Sequence, residues 1–396
     1  MKKQFGFKTV IALMLCASAL TCLVLVIAAW LYTGADVGLF GEIRTYIAMR
    51  RDIKDTYIGT YDSQKVSEAA LKATVDALDD KWSYYMTPSE YKKYQNDANN
   101  QYAGIGITVK KDDATGGLIV LGVTPGSAAE EAGLKSGDII TAIDGKDIKK
   151  LSLHDASALF DRALGQSVSL TVTSPDGSAR TLSAVYALVD TMPVRSEMLD
   201  GNVGYIEIKN FESGTADSFI KAADELVAKG AQSFVFDVRN NGGGRVTELK
   251  KMLDYLLPEC DIFIAVDKSG KEDVTRSDAE NVKLPAVVLV NQYSYSAAEY
   301  FAAVLQEYKY ATLVGQHTTG KNRSQITLTL PDGGALHISS GEYVTPRRVS
   351  LYDAGGIAPD VPVDLSEADN ALLYGGQLPR DKDVQLNKAL GLLKQS

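Results

Sequence analysis

The fold class follows from the stretch Asn291-Gln-Tyr-Ser-Tyr-Ser-Ala-Ala-Glu299 and the two runs that flank it. Before it, residues 286–290 form a short, apolar, β-branched run that is typical of a buried strand. After it, apolar residues recur at helical spacing over residues 297–308, and a second strand-like run covers residues 311–314. A strand, a helix and a strand in this order predict a parallel βαβ unit.

The same alternation extends over residues 189–365, which we predict to form an α/β core with a mixed sheet. Further elements predicted in this region are strands at 203–208 and 233–238, helices at 215–229 and 247–257, and a hairpin at 324–330 and 335–340. The tail, residues 366–396, is predicted to be helical with a break at Gly375-Gly376.

Ser296 lies at the carboxyl end of the predicted strand and at the start of the predicted helix. The unpaired N–H groups and the positive dipole end of a helix start could stabilise an oxyanion there. Ser296 is therefore a candidate nucleophile. Taken alone, the segment favours the alternative, a serine that only caps the helix.

The second candidate is Lys321, in the loop Gly315-Gln-His-Thr-Thr-Gly-Lys321. This loop has the spacing of a phosphate-binding P-loop, but Asn322 follows where Ser or Thr is needed, and a strand follows where a helix is needed. We therefore reject ATP binding. A lysine on a glycine turn between apolar strands could be desolvated, which would lower its pKa and make it a general base. The alternative is a solvated loop lysine.

A third segment, Phe234-Val-Phe-Asp-Val-Arg-Asn-Asn-Gly-Gly-Gly244, runs from a strand into a glycine-rich turn. Three successive glycines expose backbone N–H groups and permit close approach of another chain. The turn could therefore supply a donor to an oxyanion, and the alternative is an ordinary turn.

Residues 101–188 change in character, with predicted strands that include 104–109 and 167–173, predicted helices at 127–132 and 152–164, and a hairpin signal at Asp144-Gly145. The order of elements and the run of residues 125–145 resemble a PDZ domain. That resemblance implies capture of an extended peptide, with its C-terminal carboxylate held by backbone N–H groups at Gly104, Ile105, Gly106 and Ile107. The alternative is a packing or inhibitory domain that binds no peptide.

The N-terminus predicts a membrane segment. Lysines at positions 2, 3 and 8 precede an uncharged run over residues 9–35, and residues 9–32 are long enough to cross a bilayer. We expect a single-pass protein of the cell membrane, with residues 1–35 holding the cytoplasmic end and the anchor and with the catalytic part outside. The alternative is a signal peptide cleaved near Ala17-Ser-Ala19, which would give a secreted protein. Residues 36–100 are predicted to be a helical segment, with a helix start at Thr87-Pro-Ser-Glu90, and a homodimer through this segment stays open.

Composition excludes several classes. The chain has 396 residues, 45% of them hydrophobic and 23% charged, which is ordinary globular usage. Its net charge of −9 argues against nucleic acid as a partner. Only three His and three Cys are present, and two of the Cys lie in the N-terminal run, which argues against a zinc site. We expect no metal and no cofactor.

Together these segments resemble the C-terminal processing peptidases, or tail-specific proteases, the Ser/Lys peptidase family S41. Five motifs in the family's order carry the resemblance: Ser296 three residues before Glu299, Lys321 in a Gly-x-x-x-x-Gly-Lys loop, Gln325, the Asp237–Gly244 run and Gly355-Gly-Ile-Ala-Pro-Asp360. The resemblance implies that Ser296 is the nucleophile, Lys321 the base and Gln325 the residue that orients Lys321. It also implies an oxyanion hole from the N–H groups of Ala297 and Gly243.

The implied function is an extracytoplasmic serine endopeptidase that recognises proteins by free, apolar C-terminal tails and cleaves upstream of them. The fold class is therefore multidomain α/β, with a transmembrane helix, a helical segment, a PDZ domain (101–188) and a protease core (189–365). One alternative is a catalytically silent, membrane-tethered scaffold. Another is a Ser-His-Asp hydrolase using His317, which we rank last because no Gly-x-Ser-x-Gly elbow occurs.

Overall fold

The computed structural model describes residues 6–32 and 37–394. The chain divides into two units, Met1–Ala70 and Leu71–Ser396. The helices are α1 (Phe7–Tyr32), α2 (Val37–Thr56), α3 (Ser63–Asp76), α4 (Pro88–Asp97), α5 (Ala128–Glu131), α6 (Leu153–Ala158), α7 (Thr215–Ala228), α8 (Val246–Leu256), α9 (Ala297–Glu307), α10 (Glu367–Tyr374) and α11 (Val384–Leu393).

The strands follow the same chain order. They are β1 (Tyr84–Met86), β2 (Gln101–Gly104), β3 (Ile107–Lys111), β4 (Leu118–Val123), β5 (Ile139–Ile143), β6 (Lys146–Asp147), β7 (Ser167–Thr173), β8 (Ala179–Val185), β9 (Ala187–Asp190), β10 (Val194–Leu199), β11 (Val203–Ile208), β12 (Ser233–Asp237), β13 (Asp261–Val266), β14 (Glu272–Arg276), β15 (Ala286–Val290), β16 (Ala311–Gly315), β17 (Arg323–Thr329), β18 (Ala335–Val344) and β19 (Val361–Pro362).

The N-terminal unit begins with α1, of which Phe7–Ala28 is long and apolar enough to cross a membrane. Every described side chain over residues 6–28 is exposed. A signal sequence would have the same length and composition, so the helix is compatible with either an anchor or a leader. The predicted boundary at residues 35 and 36, and the lysines at positions 2 and 3, lie outside the described residues.

The helical prediction for residues 36–100 is correct for α2, α3 and α4 but misses β1. α4 begins as predicted, with Thr87 as N-cap, Pro88 in the first turn and a capping box closed by Glu90. β1 is only three residues long and pairs antiparallel with β18, about 250 residues further along the chain. No periodicity can show in so short a strand, because its conformation depends on a distant partner.

The PDZ-like region is a sheet in the order β3-β4-β5-β7-β8, with β6 paired to β5 and β3 at an open edge. Its core is aliphatic and is built around Leu118, Ile140 and Leu170. Two predictions here need correction. The strand expected over residues 104–109 is split between β2 and β3, because Gly106 has a φ of +84°. The helix expected over residues 152–164 ends at Ala158, where the following amides form tight turns instead.

The second large sheet has the order β10-β11-β12-β15-β16-β19, in which only β10 is antiparallel to its neighbour. Helices α7, α8 and α9 pack an apolar cluster onto one face, and α11 packs Leu386 and Ala389 onto the other. The predicted α/β core with a mixed sheet is confirmed. Because the parallel strands end at one edge, the turns after β12, β15 and β16 lie near each other.

A third sheet has the order β1-β18-β13-β14, with β17 also paired to β18. The predicted hairpin of β17 and β18 is confirmed, whereas β13 and β14 were not predicted. The tail is helical in α10 and α11, as predicted. It is joined to the core by Arg239, whose guanidinium donates to Asp383 and Gln385.

Candidate active site

Ser296 occupies the sharp turn between β15 and α9. Its backbone has φ +56° and ψ −126°, a region that non-glycine residues rarely adopt and that costs about 1–3 kcal/mol. Its side chain makes no capping hydrogen bond to the helix, so the alternative of a simple N-cap has no support here. A strained serine on a strand-to-helix turn presents its hydroxyl away from the backbone, as a nucleophile requires.

The start of α9 offers a backbone donor beside this serine. Within the described part of the chain, the N–H of Ala297 has no hydrogen-bond acceptor. It lies in the positive first turn of an 11-residue helix. The N–H of Ala297, the predicted oxyanion donor, therefore lies beside Ser296 at the positive end of the helix dipole.

The predicted donor Gly243 is already engaged. Its N–H donates to Asn241 Oδ1 at 2.8 Å, because the short Asn side chain turns back onto the backbone two residues on. The N–H of the next residue, Gly244, has no acceptor among residues 37–394. Gly243 still lies against the nucleophile turn, since a Cβ on it would lie 2.8 Å from Ala297 N and from Ser296 Cβ.

Lys321 is buried, with 9% of its surface exposed, and its Nζ lies 4.3 Å from the centroid of the Trp82 ring. Burial lowers the pKa of Lys321 to about 8, against the opposing effect of Asp80 and with a smaller lowering by Lys81. The alternative of a solvated loop lysine is therefore wrong. An amine with a pKa near 8 is a usable proton acceptor close to neutral pH.

Glu299 holds the lysine loop against the serine helix. Its buried carboxylate accepts hydrogen bonds from the Thr318 hydroxyl, from Gly320 N at 2.7 Å and from Lys321 N at 3.0 Å. Burial raises the pKa of Glu299, and these hydrogen bonds oppose that rise. Tyr343 also donates to Lys321 O at 2.7 Å. The backbones of Ser296 and Lys321 are thus fixed relative to each other.

Gln325 does not make its predicted contact. Its amide donates to Ser339 Oγ at 3.0 Å and to Arg323 O at 3.1 Å, and no hydrogen bond joins it to Lys321 in the described structure. A register shift lies between Ser324 and Gln325, and at this position the side chain bonds to Ser339 on the neighbouring strand β18.

A cavity of about 1290 Å³ brings the candidates together. Ser296, Lys321, Gln325 and Gly243 all line it. Sequence reasoning did not assign many of the wall residues to the site, among them Trp82, His337 and Tyr343. Trp82 stands out in the sequence only as one of two tryptophans and His337 only as one of three histidines, and Tyr343 carried no signal.

The two histidines near this region differ. His337 lines the cavity and contacts the rings of Tyr84 and Tyr94, and burial, with the nearby charge of Lys321, lowers its pKa to about 4. His317, the base of the last-ranked alternative, is exposed and is not among the lining residues. The geometry therefore favours Lys321 over His317 as the partner of Ser296.

The predicted peptide site lies at the edge of the PDZ-like sheet. In the described structure, the N–H groups of Ile105 and Gly106 have no acceptor, and Ile107 begins the edge strand β3. Gly104, Ile105 and Gly106 are buried, and a Cβ on Gly106 would lie 2.3 Å from Ser127 Cβ. The arrangement offers a carboxylate two N–H groups and offers a peptide the open edge of β3.

Comparison with known proteins agrees with these features. Residues 202–363 match the profile of peptidase family S41, and residues 119–174 match that of a PDZ domain. The chain is 31% identical over 317 residues to the carboxy-terminal processing protease CtpA of Bacillus subtilis, covering 80% of this chain and 67% of that one. It is 32% identical over 323 residues to a carboxyl-terminal-processing protease of Picosynechococcus, covering 80% and 77%.

A crystal structure of a putative S41 protease from Bacteroides fragilis shares the fold. Its TM-score is 0.56 at 20% identity, over 86% of this chain and 92% of that one. The fold and these matches define a serine-type protease with a PDZ domain. The chain belongs to peptidase family S41 and is a serine-type C-terminal processing endopeptidase. The alternative of a catalytically silent scaffold is left without support.

Proposed function

We propose that this chain is a membrane-anchored, extracytoplasmic endopeptidase in which Ser296 is the nucleophile and Lys321 the general base. One observation carries the proposal: a strained serine at a helix start and a buried lysine line the same cavity on loops joined by Glu299. A serine hydroxyl is a weak nucleophile until a base takes its proton.

In the proposed reaction, neutral Lys321 takes the proton from Ser296 Oγ as the oxygen attacks the scissile carbonyl carbon. The carbonyl electron pair moves to the oxygen and returns as the C–N bond breaks. The lysine ammonium then gives its proton to the leaving amine, which becomes the N-terminus of the released fragment. Neutral Lys321 then takes a proton from the water that attacks the acyl-serine, and it gives this proton to Ser296 Oγ as the acyl C–O bond breaks, which restores both groups.

The oxyanion would accept a hydrogen bond from the N–H of Ala297, the residue next to the nucleophile. The second donor is a glycine of the 242–244 turn. Gly243 can serve only if its N–H leaves Asn241 Oδ1, whereas Gly244 needs no such exchange. Gln325 would orient Lys321 after a side-chain rotation away from Ser339.

The PDZ domain would select the substrate. A free C-terminal carboxylate would accept hydrogen bonds from Ile105 and Gly106, and the apolar tail would add as a strand beside β3. Cleavage then follows upstream, where the chain reaches the cavity.

We further propose that α1 anchors the chain by residues 9–32, with the N-terminus in the cytoplasm and the catalytic part outside. The domain limits belong to the same proposal: anchor to residue 35, helical segment 36–100, PDZ domain 101–188, protease core 189–365 and tail 366–396. A homodimer through the helical segment stays a prediction.

The test is cleavage of a disordered reporter protein with an apolar, free C-terminal tail by the full chain in nonionic detergent. Ser296→Ala and Lys321→Ala should each abolish cleavage, whereas His317→Ala should retain most of it. Cleavage that survives Lys321→Ala, or is lost in His317→Ala alone, would overturn the assignment of the base.

A further inference from the structure

We propose that the catalytic cleft selects acidic stretches of substrate, and that Lys81 and Lys92 are the specificity-determining residues that contact them. This inference rests on the proposed function, because it concerns the chain segment that lies in the cleft during cleavage. The acidic stretch would bind in the cleft, whereas the C-terminal tail of the same substrate would bind to the PDZ domain.

The cavity carries a positive charge within an acidic protein. Its lining contains five cationic side chains and one carboxylate, whereas the whole chain has a net charge of −9. The cations are Lys81, Lys92, Arg245, Lys321 and Arg323, and the carboxylate is Glu212. A concave wall of one sign raises the local concentration of ligands of the opposite sign.

Three of these five charges already have another role. Arg245 pairs with Glu212 at 3.5 Å, and Arg323 contacts Asp80 at 3.6 Å and Glu342 at 3.8 Å. Lys321 is the proposed base, buried beside Trp82. Each of the three therefore already has a partner or a proposed role in the resting structure.

Lys81 and Lys92 remain. Neither forms an ion pair with any residue in the described ranges, and both are exposed, so their ammonium groups can be reached from the cleft. Lys81 Nζ lies 4.6 Å from the centroid of the Trp82 ring, the same ring that covers Lys321. Lys92 projects from α4, on a cavity wall that also holds Tyr91 and Tyr94.

Their positions fit a peptide with carboxylates near the scissile bond. A glutamate beside Lys81 would lie close to the proposed base, and one beside Lys92 would lie further along the same wall. Since the whole chain has a net charge of −9, an acidic substrate meets overall repulsion from the molecule and local attraction at the cleft.

The test measures binding without cleavage, using the full chain with Ser296→Ala in nonionic detergent. The probes are two fluorescent peptides of the same length, one alternating Glu and Ala and the other Gln and Ala, both amidated at the C-terminus. Amidation removes the carboxylate that the PDZ domain would take, and the missing serine makes the result independent of the catalytic assignment.

We expect the Glu peptide to bind more tightly at low ionic strength, by up to about fivefold for each lysine that it engages. The difference should vanish near 1 M salt, where charges are screened beyond about 3 Å. Lys92→Glu and Lys81→Glu should each reduce the preference. Lys93→Glu is the matched control, since Lys93 is exposed on the same helix but lies outside the cavity lining.

Equal affinities for the two peptides at low salt would overturn the proposal. So would a Lys93→Glu variant that loses as much preference as Lys92→Glu, because the effect would then reflect general surface charge. A preference for the Gln peptide in the unaltered cleft would also overturn it.

Discussion

A buried amine sets the chemistry that we propose at the scale of single residues. Lys321 makes no ion pair in the described structure, and the Trp82 ring and the surrounding backbone exclude water from it. Desolvation destabilises the ammonium form and so lowers the pKa of Lys321 to about 8. The strain at Ser296 complements this, because it holds the hydroxyl away from capping the helix.

The first prediction concerns pH. Since only neutral Lys321 can accept the proton, kcat/KM should rise about tenfold per pH unit below pH 8 and level off above it. The measurement is the initial rate of reporter cleavage at substrate concentrations well below KM, from pH 6 to 10. A rate that is flat over pH 6 to 9, or that falls, would assign the base to another group.

At the scale of elements, the turn after β12 lies against the turn after β15. Gly243, with φ +88°, is the residue of closest approach, and the prediction is that Gly243→Ala lowers kcat/KM by at least about a hundredfold. Its Cβ would push the glycine turn off Ser296 and Ala297 and so displace the oxyanion donors.

The control is Gly230→Ala, where φ is +93° but the added Cβ meets open space. This variant introduces the same backbone strain without the close approach, so activity should stay within about twofold while stability falls by about 1 kcal/mol. Thermal unfolding of both variants separates the two effects. Equal activity losses would show that strain alone, not the approach to Ser296, is responsible.

A third prediction concerns the contact between the tail and the core. Arg239 is buried between Asp237 and Asp383, and it also donates to Gln385. Asp383→Ala should lower the free energy of unfolding by about 3 kcal/mol, because a buried guanidinium loses one carboxylate. Denaturant unfolding measures this. Asp381→Ala, an exposed position in the same turn, should change stability by less than about 0.5 kcal/mol.

Sequence reasoning succeeded where an element depends on its own residues. The strands at 203–208, 286–290 and 167–173 and the cap at Thr87 were predicted, because periodicity and capping are local signals. It failed for β1, whose partner β18 lies far away in the chain, and for β13 and β14, which pair with each other while β13 also pairs with the distant β18.

The site predictions also succeeded only where the signal is local. Ser296 and Lys321 lie in local motifs and were found, and the cavity brings them together. The walls formed by Trp82 and His337 come from distant segments, so no local pattern could place them. Gln325 bonds to Ser339 on β18 beside a register shift, and the sequence shows neither the shift nor this partner.

At the scale of the whole molecule, the proposed function divides substrate recognition between a tail held by the PDZ domain and an upstream segment held in the cavity. The prediction is that amidating the reporter's C-terminus raises KM at least about fivefold while kcat stays nearly constant, because only binding energy is lost. Gly106→Ala should produce the same rise with an unmodified tail, since its Cβ would clash with Ser127.

Gly126→Ala is the matched control for this prediction. Gly126 lies in the same domain with φ +73° but open space around it, so the variant should retain the difference between free and amidated tails. A KM that does not respond to amidation would assign the PDZ domain a role other than tail capture.

The most direct measurement is covalent labelling of the full chain with a fluorophosphonate, followed by mass spectrometry of the modified peptide. Attack of Oγ on phosphorus expels fluoride, so the adduct marks an activated serine. We predict a single adduct on Ser296, a labelling rate that rises with pH toward a plateau above about 8, and almost no labelling in Lys321→Ala. Labelling of another serine, or an unchanged rate in Lys321→Ala, would contradict the Ser296–Lys321 pair.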